Sequence, residues 1–381
     1  MERFDVIVVG GGMSGASVAY ELSHNARVLL LERESMPGFH STGRSAAVFI
    51  MSYGHEVAAL RLLTQASETF LRAPPSPFCE GEILKRRGLV TICEPEQVEG
   101  LEALHLDVGK LFPNLVRLTG DEVRAKVPRL TPQFSALGML DPDVYDIEVH
   151  TLHDGYLRGV RRAGGTTRFD QEIQSIRRND GDWQVTAPAG TFAAPILVNA
   201  AGAWADSVAR LAGVRTAGLQ PLRRTAVLMA SPFDDPIGDW PMLFDFEGRF
   251  YVKPDAGLLF ASPADETPSP PCDAQPEDLD VAIAVDYVER AFGVEITKVG
   301  RKWAGLRCFA ADRAPVLGFD EDAPGFFWLA GQGGHGIQIA PAASRLAAAL
   351  ALGRPMPADL RSLGFDAALV SPARASLQRA T

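Results

Sequence analysis

The sequence predicts a two-domain α/β protein, in which a domain of parallel strands and helices is interrupted by a domain with a mixed sheet. Three observations support this prediction. A β-branched run, FDVIVV at residues 4–9, leads into the glycine turn GGGMSG, and a second strand and glycine turn, FFWLAGQGGHGIQ, lies at residues 326–338. Between them, the runs LRRTAVLMA, FYVKP and GLLFASP resemble strands without intervening helices. The 381 residues are about twice the length of a usual domain.

The first glycine turn has the spacing G-x-G-x-x-G. Gly10 permits a tight turn, Gly12 lets the backbone approach a pyrophosphate, and Gly15 lets the helix pack against the strand. Ser14 lies inside the motif, at the start of the helix. The next strand, ARVLLLE, ends at Glu32, seventeen positions after Gly15, where a carboxylate can bind an adenosine ribose. The arrangement predicts a Rossmann-like dinucleotide-binding domain, and an acid at this position argues against NADP.

The segment that follows, ERESMPGFHSTGRSAA at residues 32–47, is rich in hydroxyl groups. A nicotinamide enzyme usually continues into another helix and strand here. This segment can instead follow a pyrophosphate and a ribityl chain towards a flavin ring. An ordinary polar loop with a helix N-cap at Ser45 is the alternative. The candidate cofactor contacts are Arg33, Ser41, Thr42, Arg44, Ser45, Ala46 and Ala47.

That segment, together with LVNAAGAWADSVARLAGV, WAGLR and GQGGHGIQ, resembles the D-amino acid oxidase superfamily of FAD-dependent amine dehydrogenases and oxidases, in particular its D-arginine dehydrogenases. The likeness spans nearly the whole chain and includes QPLRR, DWPM and FYVKPDAG. It implies FAD as the cofactor. Covalent attachment of the flavin stays open, with His40 as the nearest candidate, but no cysteine or histidine stands out for it and we expect non-covalent binding. It also implies an FAD domain at residues 1–55, 145–217 and 309–381, and a substrate domain at residues 56–144 and 218–308.

The resemblance implies further cofactor contacts outside the first segment. Two short alternating runs around the turn-forming NDGD predict a hairpin, and in the superfamily a backbone group of this region meets the adenine. For the tryptophan of AGAW, a position in the core remains the alternative to a cofactor contact. Backbone N–H groups in GQGGHGIQ and the dipole of the following helix can stabilise negative charge on the flavin. These contacts are Ile173, Gly202, Trp204, Gly333, Gly336 and Ile337.

Oxidation of an amino acid at Cα requires its carboxylate to be held, and a guanidinium is suited to that role. Arg224 and Arg307 match carboxylate-binding positions of the superfamily. Arg223 and Arg224 face opposite ways on an alternating strand, so Arg223 is expected to be structural or solvated. Tyr53 and Tyr251 match substrate-contacting tyrosines, whose phenols can donate to the carboxylate. A core role with a satisfied hydroxyl is the alternative for both.

Three positions depart from the D-arginine dehydrogenases. Val48 replaces a histidine, Ile50 a threonine, and Leu89 the glutamate that pairs with the guanidinium. Burying an unpaired guanidinium among these residues and Met242 would cost several kcal/mol, whereas an apolar side chain would gain about 1.5–3 kcal/mol. The sequence therefore predicts D-amino acid substrates with apolar or uncharged side chains. The arginine pair at residues 86–87 could instead bind a substrate with an acidic side chain, and this alternative stays open.

The second glycine turn also carries predicted substrate contacts. Gln338 and the Gly334 carbonyl lie where the superfamily contacts its substrate. His335 has no histidine counterpart in the D-arginine dehydrogenases, so no catalytic role is assigned to it. We expect the substrate amine to bind neutral or to lose its proton to water.

The predicted reaction is FAD-dependent oxidation of a D-amino acid to an imino acid, which hydrolyses to a 2-oxo acid and ammonia. Oxidation of a secondary amine such as sarcosine, of a glycine-like amine or of a 2-hydroxy acid would use the same clamp, and stays open. A non-catalytic flavin-binding module is the alternative from another class; the two arginines and two tyrosines argue against it. No motif identifies the electron acceptor.

Composition excludes several other classes. The net charge is −10, and no window approaches the roughly 20 apolar residues of a membrane helix, so neither nucleic acid nor a membrane segment is expected. The four cysteines are far apart and show no CxxC spacing, which argues against a metal site or a disulfide framework. The N-terminus enters a strand directly, without the pattern of a signal peptide, and a cytoplasmic location is predicted.

Overall fold

The computed structural model describes residues 1–377. Its α-helices are α1 Met13–Ser23, α2 Ala58–Arg72, α3 Val98–Val108, α4 Gly120–Lys126, α5 Val149–Arg162, α6 Ala205–Leu211, α7 Asp278–Phe292, α8 Gly336–Ala351 and α9 Ala358–Ser362. Its strands are β1 Glu2–Arg3, β2 Val6–Val9, β3 Val28–Leu31, β4 Val48–Phe49, β5 Leu84–Arg86, β6 Leu89–Cys93, β7 Val116–Thr119, β8 Leu137–Asp141, β9 Tyr145–Ile147, β10 Thr166–Arg168, β11 Ser175–Asn179, β12 Asp182–Ala187, β13 Gly190–Ala194, β14 Ile196–Asn199, β15 Gln220–Ala230, β16 Met242–Asp245, β17 Tyr251–Asp255, β18 Leu258–Ser262, β19 Thr267–Pro268, β20 Val299–Phe309, β21 Val316–Phe319 and β22 Phe326–Ala330.

A six-stranded sheet forms the first layer of the fold, in the order β10-β3-β2-β14-β22-β21. All neighbours in it are parallel except β21 and β22. Its central strands are apolar and buried on both faces, as a parallel sheet requires. One face packs against α1, α2, α5 and α8, and the other packs against α6 and a four-stranded sheet of order β1-β13-β12-β11.

The predicted hairpin around NDGD is confirmed. Strands β11 and β12 pair antiparallel, with Asn179 opposite Asp182. The two residues of the turn, Asp180 and Gly181, have φ of 51° and 86°. Positive φ at both central positions is the signature of the tight turn that matches the twist of a hairpin.

A nine-stranded mixed sheet forms the second large layer. Its order is β19-β15-β18-β17-β16-β6-β8-β7, and β20 pairs with β15. Strands β16 and β6 run parallel, and the other pairs are antiparallel. Helix α7 covers one face, at the residues where the sequence predicts a helix, and ends at Gly293 with φ of 63°. The opposite face is turned towards the first sheet's loops.

The two large sheets interleave along the chain. The six-stranded sheet takes its strands from residues 6–31, 166–199 and 316–330, and the nine-stranded sheet from residues 89–141 and 220–309. A small sheet of order β4-β9-β5 lies between these stretches in the sequence. The five domain segments expected from the sequence stay a prediction; the strands of each sheet fall within the segments proposed for it, except that β20 extends one residue beyond 308, to Phe309.

None of the helices in residues 1–377 is long and apolar enough to cross a membrane.

Candidate active site

A cavity of about 770 Å³ joins the two large sheets. One end lies at the carboxyl ends of β2, β3 and β14, where open α/β sheets bind their ligands. The other end lies on the face of the nine-stranded sheet opposite α7. We call these the nucleotide end and the substrate end.

The glycine turn after β2 is as tight as its spacing predicts. Gly10 has φ of 107°, and a Cβ there would lie 2.5 Å from the carbonyl oxygen of Ala200. A Cβ on Gly15 would overlap the Gly10 carbonyl, so Gly15 lies behind the turn and does not face the cavity. Gly12 lines the cavity, and a Cβ there would lie 3.3 Å from Thr42 Oγ1. The turn leaves a backbone-lined cradle that fits a pyrophosphate at the start of α1.

Glu32 ends β3 and is held in place by backbone N–H groups. Its Oε2 accepts from Gly11 N at 2.5 Å and its Oε1 from Glu34 N at 2.9 Å. His153 on α5 supports the same turn from behind, with Nε2 2.9 Å from the Gly11 carbonyl oxygen. Burial lowers the pKa of His153 below its ordinary value, although the hydrogen bonds to the turn act in the opposite direction. Glu32 therefore faces the cavity with a fixed carboxylate.

The segment at residues 38–47 crosses from the nucleotide end to the substrate end. Thr42 Oγ1 accepts from Met13 N at 3.0 Å, which ties the segment to α1. Ser41 donates to the carbonyl of Leu306 at 2.6 Å. No helix begins at Ser45 in the described residues; the chain continues into β4. The N-cap alternative is therefore wrong.

Arg44 has a structural use that the sequence did not indicate. Its Nη1 donates to the carbonyls of Ala274 and Ala304 at 2.9 and 3.0 Å, and its Nη2 pairs with Asp273. The side chain lines the cavity but fastens the segment to β20 and its neighbouring loop. Its guanidinium is engaged by protein acceptors, so Arg44 positions the backbone of this segment.

Trp204 is half-buried: it lines the cavity and also packs against a small apolar cluster that contains Ala304 and Leu306. Its ring lies 4.6 Å from the ring of His40, and the Arg33 guanidinium lies 5.0 Å above it. The predicted cofactor contacts that line the cavity are Gly10, Gly12, Ser14, Glu32, Arg33, Ser41, Thr42, Arg44, Ser45, Ala46, Ala47, Ile173, Gly202, Trp204, Gly333, Gly336 and Ile337.

The second glycine turn points α8 at the same cavity. Ser14 donates to Gln332 Oε1 at 2.9 Å, which links the two turns. Gly333 has φ of 53°, and a Cβ there would overlap the ring of Phe309. Gly334 lines the cavity against the Arg307 guanidinium. The free N–H groups and the dipole of α8 favour negative charge at this point.

Two arginines meet at the substrate end with different surroundings. Arg224 donates from Nε to the carbonyl of Asp265 at 2.8 Å, and its Nη2 lies 3.4 Å from Glu266 Oε1. Arg307 faces the cavity and has no carboxylate partner within the described residues. Burial and the charge of Arg307 lower the pKa of Arg224. Burial also acts to lower the pKa of Arg307, but the phenols of Tyr251 and Tyr53 raise it overall.

Arg223 points away from the cavity, as the alternation of β15 predicts. Its guanidinium contacts Glu277 and, at 2.9 Å, Asp280 on α7. Arg223 therefore lies on the face of the sheet that packs against α7, and Arg224 lies on the face that lines the cavity.

The two tyrosines differ in burial. Tyr251 on β17 is buried; burial acts to raise its pKa, but Arg307 and Arg224 pull it below the ordinary value. Tyr53 is 38% exposed, in the loop between β4 and α2. Its ring stacks on His335 with centroids 4.6 Å apart. Both tyrosines line the cavity near the arginines.

The predicted apolar residues lie together. Val48, Ile50, Leu89 and Met242 line the cavity and belong to one cluster with Tyr251. Leu89 and Met242 are register neighbours on β6 and β16. Asp141 is the register neighbour of Leu89, but it does not line the cavity, and its Oδ2 accepts from Ser52 Oγ at 2.8 Å.

Gln338 lines the cavity but has protein partners for its amide. Its Oε1 accepts from Ile50 N at 3.1 Å, and its Nε2 donates to Thr64 Oγ1 at 3.0 Å. It therefore fixes the backbone of the apolar wall. Neither residue of the arginine pair at 86–87 lines the cavity. Arg87 is instead paired with Asp146 at 2.8 Å. An acidic substrate side chain gains no support from it.

A family model described as FAD dependent oxidoreductase matches residues 5–350. The chain belongs to this FAD dependent oxidoreductase family. FAD is therefore its cofactor, and the glycine cradle, Glu32 and the start of α8 fit the nucleotide, ribose and flavin at the nucleotide end. The D-amino acid oxidase resemblance is confirmed at this level.

Glycine oxidase from Geobacillus kaustophilus is a similar member of the family. It is 25% identical over 362 residues, which cover 91% of this chain and 93% of that protein. The crystal structure of that enzyme superposes with a TM-score of 0.84 at 24% identity, covering 98% of this chain and 99% of the other. The crystal structure of L-proline dehydrogenase from P. horikoshii gives a TM-score of 0.80 at 20% identity, covering 96% of this chain and 99% of the other. These structures support the predicted two-domain fold.

Human mitochondrial dimethylglycine dehydrogenase is 24% identical over 266 residues, or 68% of this chain. The chain spans only 30% of the length of that relative. None of the three relatives named here is a D-arginine dehydrogenase, so the finer likeness expected from the sequence stays a prediction.

The structure adds two things to the sequence analysis: the surroundings of His335, which lies next to the cavity, and further residues that line the cavity. His335 is buried beneath Tyr53, and neither ring nitrogen has a hydrogen-bonding partner in the described part of the chain. Burial, aided by the charge of Arg307, lowers its pKa to about 4. Further cavity residues lie on alternate positions of LVTIC and MLFDF, a pattern that could have indicated one sheet face. These are Thr91, Phe244 and Phe246; Met139 on β8 and Leu104 and Val108 on α3 also line the cavity.

Proposed function

We propose that the protein oxidises the bond between Cα and nitrogen in a small α-amino acid, with glycine-type amines such as glycine, sarcosine and dimethylglycine as the first candidates. The observation that carries this proposal is Arg307, a cation that faces the cavity without a carboxylate partner in residues 1–377. A substrate carboxylate would supply the missing ion-pair partner of Arg307. The names of two relatives, glycine oxidase and dimethylglycine dehydrogenase, support the same substrate class.

The side chains at the substrate end would hold the substrate in one orientation. Arg307 can bind the carboxylate through two parallel hydrogen bonds, and Arg224 is held beside it by Asp265 and Glu266. The phenol of Tyr251 can donate a third hydrogen bond, because its neighbouring arginines lower its pKa and strengthen it as a donor. Orientation of this kind removes much of the entropic barrier to reaction. FAD, when bound, supplies the acceptor for the hydride leaving Cα.

His335 is poorly suited to accept the substrate's amine proton. His335 lies behind Tyr53, does not line the cavity, and has its pKa lowered to about 4, chiefly by burial. An imidazole with that pKa holds a proton poorly at neutral pH. The amine would therefore enter as the neutral form or release its proton to water, and the imine product would hydrolyse in solution.

D-Amino acids with apolar side chains are the second candidate substrates. The observation that favours them is the apolar wall of Val48, Ile50, Leu89 and Met242. A side chain on Cα would gain about 1.5–3 kcal/mol from burial there, whereas a guanidinium would be left unpaired. A 2-hydroxy acid could use the same clamp.

Anaerobic reduction of the bound flavin tests these proposals. The purified yellow protein is mixed with glycine, sarcosine, dimethylglycine, D- and L-leucine, D-methionine, D-arginine and 2-hydroxy acids, and the flavin absorbance is followed. Bleaching by glycine-type amines supports the first candidate, and bleaching by apolar D-amino acids with D-arginine poor supports the second. Bleaching by 2-hydroxy acids alone would overturn the amine proposal. Protein that binds FAD but is bleached by none of them would be a non-catalytic flavin module.

A further inference from the structure

The substrate end of the cavity extends beyond the apolar wall already described. The extension follows one face of three neighbouring strands, β16, β6 and β8. Because side chains on a strand alternate between faces, every second residue of these strands points the same way. The cavity therefore continues along the sheet in successive rows of side chains.

The strand registers define these rows. Met242, Leu89 and Asp141 are neighbours in the first row, which borders the arginines' chamber. The second row consists of Phe244, Thr91 and Met139, all of which line the cavity.

The third row contains Cys93 and Leu137, with Phe246 beyond the end of β16. At about 3.3 Å per residue, the third row lies roughly 13 Å from the first.

Helix α3 closes the far end of this extension. Leu104 and Val108 line the cavity from the helix. Gly100 packs so close to Phe246 that a Cβ would lie 2.9 Å from its ring. The same cluster contains Leu101, so apolar side chains surround the end of the extension.

The extension is apolar throughout. Six residues line it beyond the first row: Thr91, Leu104, Val108, Met139, Phe244 and Phe246. Five of the six are apolar, Thr91 is polar, and none of them is charged. Space of this kind is filled more favourably by hydrocarbon than by water. A glycine or sarcosine molecule held by Arg307 would leave it unused.

We propose that the extension is a subsite for a long unbranched apolar substituent on the amino acid, carried on Cα or on the amine nitrogen. The inference rests on the proposed function, because Arg307 fixes the carboxylate at one end and thereby directs the substituent along the sheet face. Each methylene buried in the subsite strengthens binding about fourfold. Within the proposed class of amines, the subsite favours an α-amino acid or N-substituted glycine with an extended alkyl or alkyl-aryl chain over glycine and sarcosine themselves.

Binding of simple carboxylates tests the subsite without turnover. Linear carboxylates from propanoate to decanoate are titrated into the FAD-loaded protein, and the shift of the flavin spectrum gives each Kd. We expect Kd to fall about fourfold per methylene until the third row is filled, and then to level off. A Kd that does not change with chain length overturns the subsite, as it would if the extension were only a route of entry.

A pair of matched variants locates the effect. Leu104→Glu places a carboxylate inside the extension, whereas Leu106→Glu makes the same change on the same helix at a residue that is 71% exposed. We expect Leu104→Glu to weaken octanoate binding at least tenfold and propanoate binding less than twofold, and Leu106→Glu to change neither. An equal loss for both ligands, with α3 intact by circular dichroism, contradicts the subsite.

Turnover separates failure of the subsite from failure of the proposed function. D-2-aminooctanoate and N-hexylglycine are compared with D-2-aminobutyrate and sarcosine as reductants of the flavin. Faster reduction by one long-chain compound supports the subsite and identifies whether Cα or nitrogen carries the chain. Equal rates for short and long compounds overturn the subsite alone. Absence of both carboxylate binding and reduction overturns the proposed function.

Discussion

The two ends of the cavity are built in different ways. The nucleotide end is mainly backbone: two glycine turns, at residues 10–15 and 331–336, and the segment at residues 38–47. The substrate end consists of side chains on a sheet face, contributed by strands far apart in the sequence. Motif spacing is therefore enough to predict the first end, whereas the second depends on strand register. The predictions below test whether the two ends are also separable in function.

The largest expected effect separates substrate binding from cofactor binding. Arg307→Met removes the unpaired cation and should lower kcat/KM for the reducing substrate about 1,000-fold, or about 4 kcal/mol, with FAD content unchanged. Arg301→Met is the matched control, because Arg301 lies exposed on the same strand, over Trp303. Steady-state reduction and flavin content are measured. Loss of FAD together with activity would show that the two ends are coupled.

His335, at the junction of the two ends, should make stability depend on pH. Its folded-state pKa of about 4 lies below the ordinary value of about 6.5. The unfolded chain therefore binds more protons between these values, so the stability contribution is complete above about pH 6.5 and is lost as pH falls towards 4. The loss amounts to about 3 kcal/mol.

His335→Phe retains the stack on Tyr53 without a titrating group. Denaturant unfolding at pH 7 and pH 4.5 should show a smaller loss of stability for this variant than for the wild type. The same pH dependence in both proteins would contradict the assignment to His335.

A smaller effect isolates the nucleotide end. Gly12 has φ of −75°, which suits alanine, and a Cβ there would be 3.3 Å from Thr42 Oγ1, within the pyrophosphate cradle. Gly12→Ala should raise the Kd for FAD about 30-fold, or about 2 kcal/mol, in a folded protein. Gly238→Ala is the control, since nothing lies within 4 Å of its Cβ. Flavin fluorescence on titration of the apoprotein measures the difference, and unchanged affinity would place the pyrophosphate elsewhere.

The smallest effect concerns substrate choice. Leu89→Glu adds a carboxylate to the apolar wall and should shift the ratio of kcat/KM for D-arginine over D-leucine about tenfold towards D-arginine. Leu89→Gln is the matched control without charge. If both variants change the ratio equally, polarity rather than charge pairing decides it, and the alignment of Leu89 with the glutamate position is wrong.

Much of the nucleotide end follows from local sequence. The spacing of Gly10, Gly12 and Gly15 predicts the turn, and NDGD predicts the hairpin, because both depend on backbone conformations that few residues adopt. The alternation that sends Arg223 and Arg224 to opposite faces is equally local. Arg44 is the exception, since its carbonyl acceptors lie on segments more than 200 residues away.

The extent of the substrate end could not be predicted in this way. Phe244 lies beside Thr91 through a parallel pairing of strands about 150 residues apart, and no local pattern fixes that register. The stack of Tyr53 on His335 likewise joins a loop after β4 to the turn before α8. The resemblance to the D-arginine dehydrogenases indicated the residues of the apolar wall, but not the space that continues beyond them.

The strand order of the six-stranded sheet has a consequence for biosynthesis. Strand β22 lies beside β14, which lies beside β2, and α8 then packs on α1. A nascent chain that has not yet emerged from the ribosome as far as residue 351 lacks one wall of its own flavin cradle. Stable FAD binding therefore requires both glycine turns to have been synthesised, and cellular flavin supply acts on a chain that already contains α8 rather than on its first-made segment.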